Sequence, residues 1–331
     1  MIETKIKILE ELHELLSSNV LGDKQYRNRY NGFMAELAFQ DWFKLNRESN
    51  LIDGGMFIPT KVTDNPFNEA IYFTSSEFSP LDYVEIYTRA SVLAPKGAFF
   101  IQYNISTDYL TWKRESLFQT LENGRILNKS FSVPPFEVFK FNLESKTFLK
   151  CSISDITSNF YQLRQHLNKK EIPEELKQRF ITKFSQFDTK HLLKVYLERL
   201  FFDGYLNLTY LRGAPLDIDT FVYAKNGALC LLEIKEKDIS KREPRGFGMD
   251  LRRINSLSKL SEVFKAESYY VVRHINNQVQ RQFVDWRIIS LKKFKDEIKN
   301  SPVVEGGTGM RSSSSSNPTK VCRFALFKQL M

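Results

Sequence analysis

The chain has 331 residues, and 48 lysines and arginines against 39 aspartates and glutamates give a formal net charge of +9. That length allows two domains. No apolar run approaches a membrane span and the N-terminus Met1-Ile2-Glu3-Thr4-Lys5 has no signal-peptide core, so a cytoplasmic protein without a membrane partner is expected.

Three cysteines (Cys151, Cys230, Cys322) lie too far apart for a zinc ribbon or a disulfide framework, and His13, His166, His191 and His274 show no metal-ligand spacing. Neither a P-loop nor a dinucleotide-binding glycine motif is present. The charge is uneven. Residues 1–150 carry 17 Lys+Arg against 19 Asp+Glu, and residues 151–331 carry 31 against 20. A basic second half suits a polyanionic partner, although a lysine-rich composition raises the charge of many proteins.

In chain order, the first twenty residues predict an amphipathic helix with Ile6, Leu9, Leu12 and Leu16 on one stripe. A second helix is expected from Asn31 to Lys44, followed by a turn at Gly54-Gly55. Phe99–Tyr103 and Phe136–Phe141 read as strands, making residues 1–150 an α+β domain suited to recognition or assembly. Residues 151–185 form a junction with a helix from Glu174 to Phe184 after Pro173. Asp188 or Thr189 caps the next helix, which carries Glu198 and is expected to end at Gly204.

The most informative stretch follows. Pro215–Tyr223 alternates like a strand, Lys225-Asn226-Gly227 is a turn, and Leu229–Lys235 is a mostly apolar strand ending Glu233-Ile234-Lys235. A buried strand bearing Glu-x-Lys beside one bearing Asp217 and Asp219 places four charges where a core prefers none. A two-residue loop would pair Thr220 with Glu233 and send Asp219 to the other face. A three-residue loop with Gly227 in the left-handed conformation pairs Asp219 with Glu233 and Asp217 with Lys235. Two carboxylates opposed at roughly 5 Å repel unless a cation lies between them, and oxygen ligands suit Mg²⁺ or Mn²⁺. The three-residue loop is therefore expected, with Asp217 as a salt-bridge partner of Lys235. The plainer alternative is an exposed strand end whose charges solvate an edge.

Beyond Lys235 a charged loop is expected from Glu236 to Gly248, including Arg245, and then a helix beginning at Met249. Arg252 and Arg253 near its N-terminal end read equally as phosphate contacts or solvated surface. Tyr269–Arg273 and Trp286–Leu291 read as further strands. The Gly/Ser-rich stretch from Glu305 to Pro318 reads first as a linker and second as a loop wrapping a phosphate with Arg311. Val321–Phe327 closes the chain as a strand.

Asp219 followed fourteen residues later by Glu233-Ile234-Lys235 resembles the PD-(D/E)XK nuclease superfamily. The resemblance covers roughly residues 185–295; Pro215 lies four residues before Asp219, with Ile218 in the adjacent slot. It implies an α/β restriction-endonuclease-like mixed sheet flanked by helices over residues 186–300, and residues 301–331 would add the Gly/Ser loop and terminal strand. It further implies a Mg²⁺- (or Mn²⁺-) dependent endonuclease acting on double-stranded DNA, in a restriction or anti-phage setting or, next, in repair or recombination, with a homodimer as one form. Asp219 and Glu233 would hold the metal, Lys235 would position the attacking water, and Glu198 would match the helix carboxylate of the family. Lys194 and Glu198 are equally well explained as a surface ion pair. Glu36 on the second helix reads more simply as an exposed residue than as the carboxylate of a degenerate first nuclease copy. The alternative function is a nucleic-acid-binding or assembly protein that keeps the fold without catalysis.

Overall fold

In the computed structural model, residues 2–305 and 318–331 are described, except 19, 21, 48–50, 123, 164–166, 169–170, 207–214 and 242. The chain is mixed α/β and divides into two compact units, neither contiguous. The first unit comprises Met1–Tyr30 and Gly55–Leu216; the second comprises Asn31–Gly54 and Asp217–Met331. This differs from the contiguous division at residues 150 and 185, because the segment around the second helix packs with the C-terminal half. Among the described residues no helix is long and apolar enough to cross a membrane.

Helix α1 (Ile2–Ser17) buries Ile8, Leu9, Leu12, Leu15 and Leu16, whereas Ile6 is 44% exposed and lies off the buried stripe. Helix α2 (Asp23–Asn46) starts earlier than expected and is divided between the units after Tyr30. Strand β1 (Leu51–Pro59) runs straight through Gly54-Gly55, where a turn was expected. The glycine serves close approach instead: a Cβ on Gly54 would lie 1.7 Å from the carbonyl oxygen of Ile218.

In the first unit, β2 (Ala70–Ser76), α3 (Val84–Ala90) and β3 (Gly97–Tyr103) form a parallel pair with a helical crossover. The second half of β1 pairs antiparallel with β2. A hairpin of β4 (Lys113–Glu122) and β5 (Arg125–Val133) escaped prediction because the first four residues of β5 are all exposed and show no alternation. Then come β6 (Phe136–Asn142), β7 (Thr147–Cys151), α4 (Ile153–Thr157), β8 (Leu167–Asn168), α5 (Glu174–Phe184) and α6 (Thr189–Arg199). Asp188 caps α6 by accepting from the Lys190 amide at 2.7 Å. Gly204 does not end this helix; the chain continues as a π-helical stretch, Leu200–Leu206, that buries Asp203. There Arg29 donates to both oxygens of Asp203 at 2.6 Å, a fully buried pair.

In the second unit, β9 (Leu216–Tyr223), β10 (Leu229–Lys237), β11 (Gly246–Asp250), α7 (Leu251–Phe264), β12 (Glu267–Ile275), β13 (Phe283–Ser290), α8 (Leu291–Ile298), β14 (Val304–Glu305), β15 (Pro318–Arg323) and β16 (Lys328–Gln329) follow in order. The expected loop after Lys235 is thus shorter, and α7 starts two residues late because β11 precedes it. The mixed sheet has β10 parallel to β12 and antiparallel to β9, with β13 and then β16 antiparallel beyond β12. Its two faces are chemically different. Leu232 and Ile234 pack with Ala35, Phe39 and Phe43 of α2, Val271 and Trp286. The alternate residues of β10, Glu233 and Lys235, point to the other face, where α7 covers Phe221 through a stacked Phe264 at 5.6 Å.

Candidate functional site

The β9–β10 hairpin closes through three residues. Ala224 and Ala228 flank Lys225-Asn226-Gly227, with Ala224 N donating to Ala228 O and Gly227 N to Ala224 O, both at 2.8 Å. Gly227 has φ 78°, the left-handed value that glycine adopts without a Cβ penalty. The ladder pairs Leu231 with Phe221 and ends with Leu232 opposite Thr220, an offset that points Asp219 and Glu233 to the same face. At that point a side chain takes over from the backbone: the Ile234 amide donates to Asp219 Oδ2 at 2.6 Å.

Asp219 and Glu233 are both 1% exposed at the side chain. Lys235 Nζ lies 3.0 Å from Glu233 Oε1 and 3.4 Å from Asp219 Oδ2. A fifth charge comes from α7. The Arg253 guanidinium bonds Glu233 Oε2, meets Asp217 Oδ1 at 2.8 Å and comes to 3.9 Å from Asp219 Oδ1. Asp217 therefore pairs with Arg253 and not, as expected, with Lys235, whose ammonium is engaged by the two buried carboxylates. Arg253 is likewise turned inward, with its side chain 11% exposed, so it is an internal ion-pair partner and neither the solvated surface residue nor the outward phosphate contact between which the sequence left it. Asp250 caps that helix by accepting from the Arg253 amide at 2.7 Å.

Burial dominates the electrostatics. It pushes Asp219 up to about 7, reinforced by Glu233 and Asp217 and opposed by Lys235 and Arg253. Lys235 is held well above the ordinary lysine range, since its carboxylate neighbours outweigh its desolvation. Lys237, which the extra length of β10 puts on the same face, is lowered by burial and by Lys235. The alternation Glu233, Lys235, Lys237 was the signal for it in the sequence.

Among the described residues, Asp219 Oδ1 and Glu233 Oε1 are buried without a well-directed hydrogen bond, and so is Arg253 Nε. Glu233 Oε1 is held by the Lys235 ammonium at 3.0 Å, whereas Asp219 Oδ1 has Arg253 Nη2 only at 3.9 Å. Three carboxylates face two cations, which leaves one negative charge when all are ionised. Asp219 and Glu233 thus fit a divalent cation by donor type, with half-exposed Asp217 beside them. Yet among the described residues no three His, Cys, Asp or Glu side chains already form a metal-holding group.

The other expected site residues fall on α6, on α7 and just before β11. Glu198 is on α6 in the first unit, where it pairs with Arg199. Arg252 is half-buried on α7 and Arg245 is exposed just before β11. Arg311 lies outside the described residues. Glu36, half-buried on α2, belongs to the second unit. Comparison with family models, with curated proteins and with solved structures finds no match to this chain.

Proposed function

We propose that the second unit is a divalent-metal-dependent nuclease site acting on DNA, built on a restriction-endonuclease-like core. The observation that carries this reading is the pair of buried carboxylates, Asp219 and Glu233, on neighbouring strands, both within reach of Lys235 and with Asp219 Oδ1 lacking a hydrogen bond among the described residues. The order of elements in the unit, α2, β1, β9, β10, α7 and β12, supports it, since it forms a mixed sheet flanked by helices, as the reading requires. In this arrangement the helix that precedes the first strand is α2, which carries Glu36 but packs on the Leu232–Ile234 face, so no helix carboxylate is assigned to the cluster.

Asp219 and Glu233 would hold Mg²⁺ or Mn²⁺. Such an ion lowers the pKa of bound water and neutralises charge at phosphorus. Lys235, fixed between the two carboxylates, would orient the attacking water and stabilise the developing oxyanion. Lys237 extends the positive face along β10 towards a neighbouring phosphate.

Incubating purified protein with plasmid DNA and Mg²⁺ or Mn²⁺, with and without EDTA, tests the reading. Metal-dependent nicks that disappear with EDTA and in Asp219→Ala are expected; no cleavage with either ion, or cleavage by Asp219→Ala at the parent rate, overturns it. A second reading, a nucleic-acid-binding module without catalysis, is favoured by one observation: Arg253 already bonds Glu233 and Asp217. DNA binding that persists without any metal uptake would select it.

A further inference from the structure

The five charges of the site are not held alike. Asp219 and Glu233 are fixed on paired strands, and Lys235 sits two residues from Glu233 on the same strand. Arg253 reaches in from another element, at the end of a long side chain whose backbone alone is pinned by the Asp250 cap. Its Nη2 bonds one buried carboxylate and approaches the second, while its Nη1 bonds Asp217, whose side chain is 50% exposed. Its Nε is buried with no hydrogen bond among the described residues, so this seat leaves one of its donors unsatisfied.

We infer that Arg253 is the stand-in cation of the metal-free site: it occupies the place between Asp219 and Glu233 that a divalent ion would take, and the two exchange. The inference rests on the reading that these carboxylates hold a metal. A divalent ion joining Glu233 Oε2 and Asp219 Oδ1 would need the place where Nη2 now bonds the first and lies 3.9 Å from the second, and the two cannot share it because like charges at that distance in a buried setting repel strongly. Asp217 gives the displaced guanidinium a place to go. Lying half in solvent, it can keep its bond to Nη1 while Nη2 leaves Glu233, and the freed end then faces outward as a phosphate donor. Metal-free protein thus keeps its buried carboxylates compensated, and metal uptake has to compete with an internal side chain.

The test reads metal binding without DNA. Mn²⁺ affinity is measured by calorimetry on the full chain for the parent, Arg253→Met, Arg253→Lys and the double variant Arg253→Met/Asp219→Asn, with folding followed by circular dichroism. Arg253→Met should bind Mn²⁺ about tenfold more tightly than the parent, the size of one charge-assisted contact removed. Arg253→Lys should fall between them, and the double variant should not bind. Equal or weaker binding by folded Arg253→Met overturns the exchange while leaving the metal reading intact. Absence of Mn²⁺ binding in both the parent and Arg253→Met overturns both. Should Arg253→Met fail to fold, the parent decides alone: the Nε signal of Arg253, assigned by its loss in Arg253→Lys, must shift when Mg²⁺ saturates the protein, and a stationary signal at saturation refutes the inference.

Discussion

Strands β1, β2 and β3 with α3, and strands β9, β10 and β12 with α7, repeat one local topology: an antiparallel pair, then a crossover helix to a parallel neighbour. The central strands differ in what they bury. On β2, Thr74 and Ser76 are buried hydroxyls. Thr74 Oγ1 donates to the Tyr72 hydroxyl at 3.1 Å, the Thr74 amide donates to the Tyr87 hydroxyl at 3.1 Å, and the Tyr83 hydroxyl donates to Ser76 Oγ at 3.1 Å. On β10, Glu233 and Lys235 form a buried ion pair at 3.0 Å. The first arrangement is a neutral network that stabilises a core. The second buries charge at a desolvation cost. On the proposed reading the contrast separates a scaffold from a site on one backbone plan.

The largest expected effects come from breaking that contrast on each side. On the proposed nuclease reading, Asp219→Ala or Lys235→Ala should cut cleavage by roughly a thousandfold or more, since these groups would act at the reacting phosphate. Thr74→Val should leave cleavage unchanged and cost about 1 kcal/mol of stability, one buried hydrogen bond. Kinetics on plasmid and urea denaturation measure the two; a cleavage defect in Thr74→Val would erase the distinction between the strands.

Charge is also buried in the first unit, but there both oxygens of the carboxylate are bonded. Arg29 holds both oxygens of Asp203, donates to Leu16 O at 3.1 Å, and Arg199 lies 3.6 Å away. Asp203→Ala would leave the buried Arg29 guanidinium without its carboxylate, so a loss of about 3–5 kcal/mol is expected. Chemical denaturation that finds a loss below about 1 kcal/mol would mean water reaches this pair.

The Asp219 cluster should instead reveal itself through pH. Burial pushes the Asp219 carboxyl up from the ordinary 3.8 to about 7 in the folded chain. The folded state therefore holds a proton that the unfolded state has released, and the stability this gives is lost as pH rises from about 4 to about 7. In EDTA, denaturation across that window should show stability falling for the parent and a shallower fall for Asp219→Asn. Equal slopes would place the raised carboxyl elsewhere.

Asp219, Glu233 and Lys235 were legible in the sequence because one short hairpin sets their geometry: a positive-φ glycine fixes the loop, and strand alternation fixes the face. Arg253 was visible only as a residue at a helix start. Its inward role depends on β11 and the Asp250 cap, which set where α7 begins, and on a partner 36 residues away. The division of the units was not legible at all. β1 lies next to β9 across the intervening residues 55–216, and Thr220 Oγ1 donates to Ile52 O at 2.8 Å; no local pattern records such a contact. Gly54-Gly55 was misread for the same reason, since the requirement for a missing Cβ comes from a strand distant in sequence.

The smallest expected effect tests the hairpin itself. A Cβ on Gly227 would meet no atom within 4 Å, so substitution there meets no steric clash with the rest of the fold and only the backbone resists. At φ 78° a β-branched residue is strained by about 1–2 kcal/mol, whereas asparagine tolerates the left-handed region. Gly227→Val should therefore lower stability by that amount and Gly227→Asn by a few tenths of it. The informative comparison is with metal binding. A two-residue loop would relieve the strain in Gly227→Val by slipping the register one residue, which turns Asp219 to the α2 face and away from Glu233. If Gly227→Val loses Mn²⁺ affinity while Gly227→Asn keeps it, the loop sets the site by setting register. Parent-like affinity in both would mean that the ion pairs of Asp219 and Glu233 with Lys235 hold the register without help from the turn.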